Sequence, residues 1–219
     1  NSISFAAGRM GFYSLMKTLE LGNEDQVIIQ SSNCAVMVNA ILKVGAQPIF
    51  ADIDINTLGT SPESVEKLIT QKTKLIVAQH SFGIPCEIDR IIALASKNNI
   101  FVLEDCALAV GSEYKGVKVG NWGNAALFSF DHSKPINCFI GGMLYFKDKL
   151  LYKKLLKYRN NLPDLTLSHQ VAIFKTFLFE NKYFNPRNFA KGKILLTLTN
   201  LLNKFKIRKN VFLTDDYGP

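Results

Sequence analysis

The sequence predicts an α/β fold in three layers, a mostly parallel sheet between two layers of helices. Short β-branched runs alternate with longer amphipathic runs through residue 148. Strand–helix–strand repetition needs crossover connections, which pair strands in parallel and place helices on both faces. The 219 residues, 47% of them hydrophobic and 20% charged, suffice for one sizeable core, or for one domain and part of another.

The elements follow in order. Ala7-Gly8-Arg9-Met10 leads into a helix over 10–21, and VIIQ (27–30) is the first expected strand. A helix over 34–44 comes next, then the strand PIFAD (48–52). Ser61-Pro62-Glu63 opens a helix over 62–70 with a capping residue, a proline at the first helical position and an acid in the first turn. KLIVAQ (74–79), a helix over 87–98 and IFVLED (100–105) continue the alternation, and ALFSF (126–130) and MLYF (143–146) complete the strands. Beyond residue 148 the texture changes: DKLLYKKLLKYRNN reads as a basic helix, and HQVAIFKTFLFENKYF and GKILLTLTNLLNKFKIRK as two apolar, lysine-rich stretches. The domain reading is therefore 1–148 and a basic, mainly helical 149–219.

Charge divides the same way. Residues 1–148 carry 12 Lys/Arg against 14 Asp/Glu, and 149–219 carry 14 against 4, so the net +8 belongs to the tail and does not mark a nucleic-acid-binding domain. No window is apolar for long enough to span a bilayer. The opening NSISFAAGRMG lacks the parts of a secretory signal and has no initiator Met, which reads as a chain beginning inside a longer protein. Cys34, Cys86, Cys106 and Cys138 are scattered, without a CxxC pair or a histidine at finger spacing, so no metal site is expected and reduced thiols fit the cytosol.

Ligands of parallel sheets bind at the carboxyl ends of the strands, and three features fall there. The Gly8 turn can converge amides on an anion at a helix N-terminus. Glu104-Asp105 ends a strand, where an acid serves either as a helix cap or as a ligand group. Lys134, in FSFDHSK, stands five residues after Ser129 and seven before Gly141-Gly142. A lysine after a strand is ordinarily solvated and inert; joined to a carboxylate and a phosphate-binding turn at one sheet edge, it suits pyridoxal phosphate. Neither GxGxxG after a strand nor GxxxxGK[ST] is present, which weighs against nicotinamide, flavin and nucleoside triphosphate readings.

DQVIIQSSNCAVMVNAILKVGAQPIFADID, VLEDCALAVGSEYKGVKVGNWGNAALFSF, HSK and IGGMLYFKD resemble the large domain of the DegT-type sugar aminotransferases, pyridoxal-phosphate enzymes of fold type I. The resemblance implies that Lys134 bonds the cofactor covalently and moves the proton. It implies that Asp105 pairs with the pyridine nitrogen and that Ser129, with the backbone at Gly8, Arg9 and Met10, holds the phosphate. Leu108 stands where the family often has Gln or His, and Cys34 where an aromatic stacks on the ring. His80, in QHSFGIP, is read as facing the same edge, with cofactor-side and structural roles both open. His132 is left out of the catalytic set, and His169 falls in the tail with no assigned role. The implied activity is amino transfer, from glutamate, to a nucleotide-linked keto sugar for amino-sugar or surface-polysaccharide synthesis, by a cytoplasmic homodimer. Set against the resemblance, residues 149–219 read as an incomplete segment and the chain as a fragment, with the family's small C-terminal domain expected to be largely missing from it. Two rivals remain: a non-catalytic cofactor binder, favoured by Leu108 and Cys34, and the related sugar dehydratase, which carries a histidine where Lys134 stands.

Overall fold

A computed structural model describes residues 1–131, 133–183 and 185–204. His132 and the KIRK and TDDYGP segments of the tail lie outside the described residues. The chain divides into two compact units, Asn1–Leu162 and Pro163–Pro219.

The first unit runs β1 (Ser2–Phe5), α1 (Gly8–Thr18), β2 (Gln26–Gln30), α2 (Ala35–Val44), β3 (Gln47–Ala51), α3 (Pro62–Leu68), β4 (Thr73–Gln79), α4 (Ile88–Lys97), β5 (Phe101–Asp105), a short hairpin of β6 (Glu113–Tyr114) and β7 (Val117–Lys118), β8 (Ala125–Ser129), β9 (Gly142–Phe146) and α5 (Lys149–Asn160). Seven strands form one sheet in the order β1-β9-β8-β5-β4-β2-β3. β8, β5, β4, β2 and β3 are parallel, while β9 runs antiparallel to both β8 and β1.

Strand periodicity sorts the core into two layers. Val27, Ile29, Leu75, Val77, Leu103 and Leu127 pack with Phe12, Leu15 and Met16 of α1, Ile41 of α2 and Leu155 of α5. Ile28, Ile76, Ala78 and Val102 face the other way, against Val65 of α3 and Ile88, Ile91 and Ala95 of α4. Burial on both faces is why these strands contain so few polar residues. Ser61 caps α3 as expected, accepting a hydrogen bond from the Ser64 amide at 3.2 Å, with Pro62 at the first helical position.

Two differences from the sequence reading bear on the site. α1 opens at Gly8, two residues earlier than expected, so Gly8, Arg9 and Met10 are its first turn and no longer a turn ahead of it. SISF, unassigned in the sequence, is the edge strand β1, with Ile3 and Phe5 turned inward. The packing boundary falls at Leu162, whereas composition changes at 149: α5 buries Leu155 in the first unit's core. The second unit contains α6 (Leu167–Tyr183) and α7 (Phe189–Lys204), which leave Leu167, Phe174 and Ile194 largely exposed.

Candidate functional site

The site is organised by which face each strand-end residue takes. In β5, Asp105 follows Leu103 toward the α1 and α2 layer, and Glu104 follows Val102 toward α3 and α4. β4 is in register with Ala78 opposite Glu104 and Gln79 opposite Asp105. Gln79 and Asp105 therefore share one face, and His80 returns to the face of Glu104.

That second face is closed by a buried polar unit. His80 Nε2 meets Glu104 Oε2 at 3.1 Å, and His80 Nδ1 accepts the Cys86 amide at 3.1 Å, so Nε2 carries the proton and donates it to the carboxylate. Glu104 Oε2 also accepts the Gly120 amide, and its Oε1 accepts the amides of Trp122 and Gly123, each at 2.7 Å. Burial works to raise this carboxyl; the imidazole and the amide donors outweigh it and hold Glu104 below its ordinary range. Gly120 presents its amide from φ +89°, a conformation glycine adopts without strain. Cys106 completes a trio of donor atoms with His80 and Glu104 within 4.8 Å, but the His80 ring nitrogens and both Glu104 oxygens are spent on hydrogen bonds within the fold. Both ring nitrogens being committed, His80 reaches the site only through its ring carbons and through its backbone amide, which donates to Asp105 O at 3.1 Å.

The first face opens a cavity of about 210 Å³ lined by Asp105, Lys134, Cys34, Leu108, Gln79 and Asn33 among others, with His80 at its edge. Asp105 is 6% exposed. Its Oδ1 accepts the Ala107 amide at 3.0 Å, and Oδ2 has no protein partner among the described residues. Burial pushes the carboxyl above its ordinary range, while the Ala107 amide and the Lys134 ammonium pull the other way. A cation or protonated ring nitrogen against Oδ2 would relieve that cost. Cys34 is the residue before α2, exposed, and gives the helix no side-chain cap.

Ser129 and the start of α1 lie one strand over. β8 flanks β5, with Leu127 opposite Asp105, and Ser129 stands two residues farther along the same face. The Gly8 backbone rests on it: a Cβ added at Gly8 would come within 3.4 Å of Ser129 Cβ and 3.6 Å of its Oγ. Gly142 permits this approach, since a Cβ there would lie 2.4 Å from the Gly8 nitrogen. Ala7 provides no side-chain cap to α1, and the Met10 amide turns back to Ala7 O at 3.1 Å. An uncapped helix N-terminus beside a hydroxyl suits an anion. Gly8, Arg9, Met10 and Ser129 thus form one group, adjoining but not lining the cavity that holds Asp105, Lys134, Cys34 and Leu108. A buried carboxylate, an amine, and an anion-binding turn one strand away fit the donor set that pyridoxal phosphate requires.

Sequence reasoning missed two groups. Glu104 serves as the hub of the 106–124 loop, a role signalled only by the nearby glycines in GNWGN. Asn33 and Gln79 form a hydrogen-bonded pair on the cavity wall, signalled only by an amide at the end of the otherwise apolar β4 and another in the loop between β2 and α2.

Comparison with known proteins adds four findings. The model of the DegT/DnrJ/EryC1/StrS aminotransferase family matches residues 1–164. GDP-perosamine synthase of Escherichia coli O157:H7 is 40% identical over 69% of this chain and 42% of its own length. A UDP-N-acetyl-3-dehydro-α-D-glucosamine 3-aminotransferase of Acidithiobacillus ferrooxidans is 34% identical over 82% of this chain and 49% of its own. The chain thus spans about half the length, or less, of these relatives. Among solved structures, the aminotransferase of Psychrobacter cryohalolentis superposes with a TM-score of 0.70 at 36% identity, covering 73% of this chain and 40% of that one.

Proposed function

The chain belongs to the DegT/DnrJ/EryC1/StrS aminotransferase family, and from that premise we propose that residues 1–148 form the cofactor-binding domain of an enzyme that aminates a nucleotide-linked keto sugar, with glutamate as donor. The names of the two curated relatives support the acceptor class. An amino sugar of this kind would enter surface-polysaccharide synthesis, and the enzyme would act as a cytoplasmic homodimer. The observation that carries the reading is the placement of Asp105 and Lys134 on one cavity, Asp105 buried with an oxygen left over.

Pyridoxal phosphate is the family's cofactor, and when bound it supplies an electron sink for the charge left when a proton leaves the amino-bearing carbon. The residues divide the remaining work. Lys134 Nζ would hold the cofactor covalently when no substrate is attached, and once released it would serve as the base that moves the proton between the substrate carbon and the cofactor. Asp105 Oδ2 keeps the ring nitrogen protonated. The Ser129 hydroxyl and the amides of Gly8 and Arg9 hold the phosphate, with Met10 shaping the turn. Cys34 and Leu108 would flank the ring, and the His80 amide, donating to Asp105 O, fixes the backbone that carries Asp105. Lys134 supports a transaminase over the histidine-bearing dehydratase.

Adding glutamate to the full-length protein loaded with pyridoxal phosphate should abolish its visible absorbance band and release 2-oxoglutarate. Asp105→Asn should keep cofactor binding while slowing that step by roughly a hundredfold, and Lys134→Ala should abolish turnover. A wild-type protein that binds cofactor but never bleaches is an inert binder; Asp105→Asn at the parent rate would reduce Asp105 to a cap.

A further inference from the structure

We propose that Asn33, Gln79 and Ser81 form a subsite that hydrogen-bonds a ligand hydroxyl group on the wall of the cavity away from the α1 turn. The inference rests on the aminotransferase reading and adds to it the residues that recognise an uncharged, hydroxylated group. Gln79 ends β4 directly opposite Asp105 and on the same face. Its Oε1 accepts Asn33 Nδ2 at 2.6 Å, and its Nε2 donates to Ser32 O at 3.3 Å and to Ser81 Oγ at 3.1 Å. Its backbone amide is fixed as well, donating to Thr60 Oγ1 at 2.9 Å. The side chain is thus held before any ligand arrives, which lowers the ordering cost of binding.

Position assigns this wall its own task. In the strand order, β8 lies on one side of β5 and β4 on the other. The anion-binding group of Gly8 and Ser129 occupies the β8 side, whereas Asn33, Gln79 and Ser81 occupy the β4 side. Among the described lining residues, Asp105 and Lys134 alone carry formal charge, so this wall offers no cation for a carboxylate or a second phosphate. What it offers is an acceptor at Asn33 Oδ1 and a hydroxyl at Ser81, itself 2% exposed. A group that both donates and accepts, as an alcohol does, matches that pair. Phe82, 74% exposed at the same wall, adds a flat apolar surface beside it. Leu108 and Cys34, also on the cavity, cannot supply an equivalent carboxamide.

Two hydroxyl sources meet this chemistry: the acceptor sugar and the ring hydroxyl of the cofactor. Gln79→Met keeps the side-chain length and removes both amide functions; Asn33→Ala is the second variant, should the first disturb β4. In the full-length protein, pyridoxal phosphate affinity is read by absorbance titration, the keto-sugar KM in steady state, and folding by the urea midpoint. We expect both variants to remain folded and one binding constant to weaken about tenfold, the equivalent of about 1.4 kcal/mol. Weakening of the keto-sugar KM alone assigns the hydroxyl to the substrate, and weakening of cofactor affinity assigns it to the cofactor. If both variants fold and neither constant moves, the cluster only braces the cavity wall and the proposal is wrong. A wild-type protein without amino transfer would instead sink the aminotransferase reading, and this subsite with it.

Discussion

Glu104 is the side chain on which the rear of the site depends. One carboxylate collects three amides and an imidazole N–H in a fully buried position, and removing its charge leaves donors facing a carboxamide that cannot accept them all. Glu104→Gln should cost about 3 kcal/mol, seen as a fall in the urea midpoint of roughly 1–2 M. The pH dependence has a definite sign. Because the folded carboxyl titrates below its ordinary 4.5, its stabilisation is complete above that value and drains away as pH falls through the folded value. The wild-type protein should therefore lose midpoint below about pH 4.5, and the Gln variant should lack that component. An unchanged midpoint and pH profile would show the amides to be held by the chain alone. Individual residues were legible to different degrees: Asp105 stood out because a strand end with an acid is a marked position, but the partners of His80 were not. Only the two-residue period of β4, counted from its true start, places His80 on the face opposite Asp105.

At the level of elements, the sequence located every parallel strand within about one residue, because strands buried on both faces leave an unmistakable apolar run, and every core helix within about three, α1 being the widest miss. It did not show β1 or the β6–β7 hairpin. SISF alternates with serine and is four residues long, and the hairpin strands have two residues each, too short for any period to register. The contact between α1 and the β8–β9 edge was equally hidden, since it depends on a distance between backbones. Its test is Gly142→Ala. The added methyl would sit 2.4 Å from Gly8 N and 2.6 Å from Ala7 C, so α1 or β9 must shift. We expect a loss of about 1–3 kcal/mol, read as a lower melting temperature together with weaker cofactor affinity. Gly22→Ala is the control, as nothing lies within 4 Å of its added Cβ, and it should change stability by no more than about 0.5 kcal/mol. Equal behaviour of the two variants would contradict the close approach.

Over the whole molecule, the basic tail raises the question of a membrane surface. No helix among the described residues is long and apolar enough to cross a bilayer. Interfacial binding needs one apolar face and one charged face, and α6 does not divide that way. Val171, Phe174, Phe177 and Leu178 share a helical row that runs on to Lys182, while the apolar Ile173 and Phe179 fall off that row. In flotation with anionic vesicles at physiological salt the protein should stay in the dense fraction; clear co-migration would overturn this. The topology carries a further consequence for synthesis. β1 precedes the parallel strands in sequence, yet its partner among the described residues is β9, Ser2 opposite Tyr145. A nascent chain can zip its five parallel strands while β1 still has no place in the sheet. Closing that loop of roughly 140 residues adds little to the equilibrium cost, but it cannot begin until β9 has left the ribosome. Asp105 is then in position early, whereas the turn at Gly8 docks among the last pieces, so the end of the site formed by Gly8 and Ser129 is assembled only on a chain translated past Phe146.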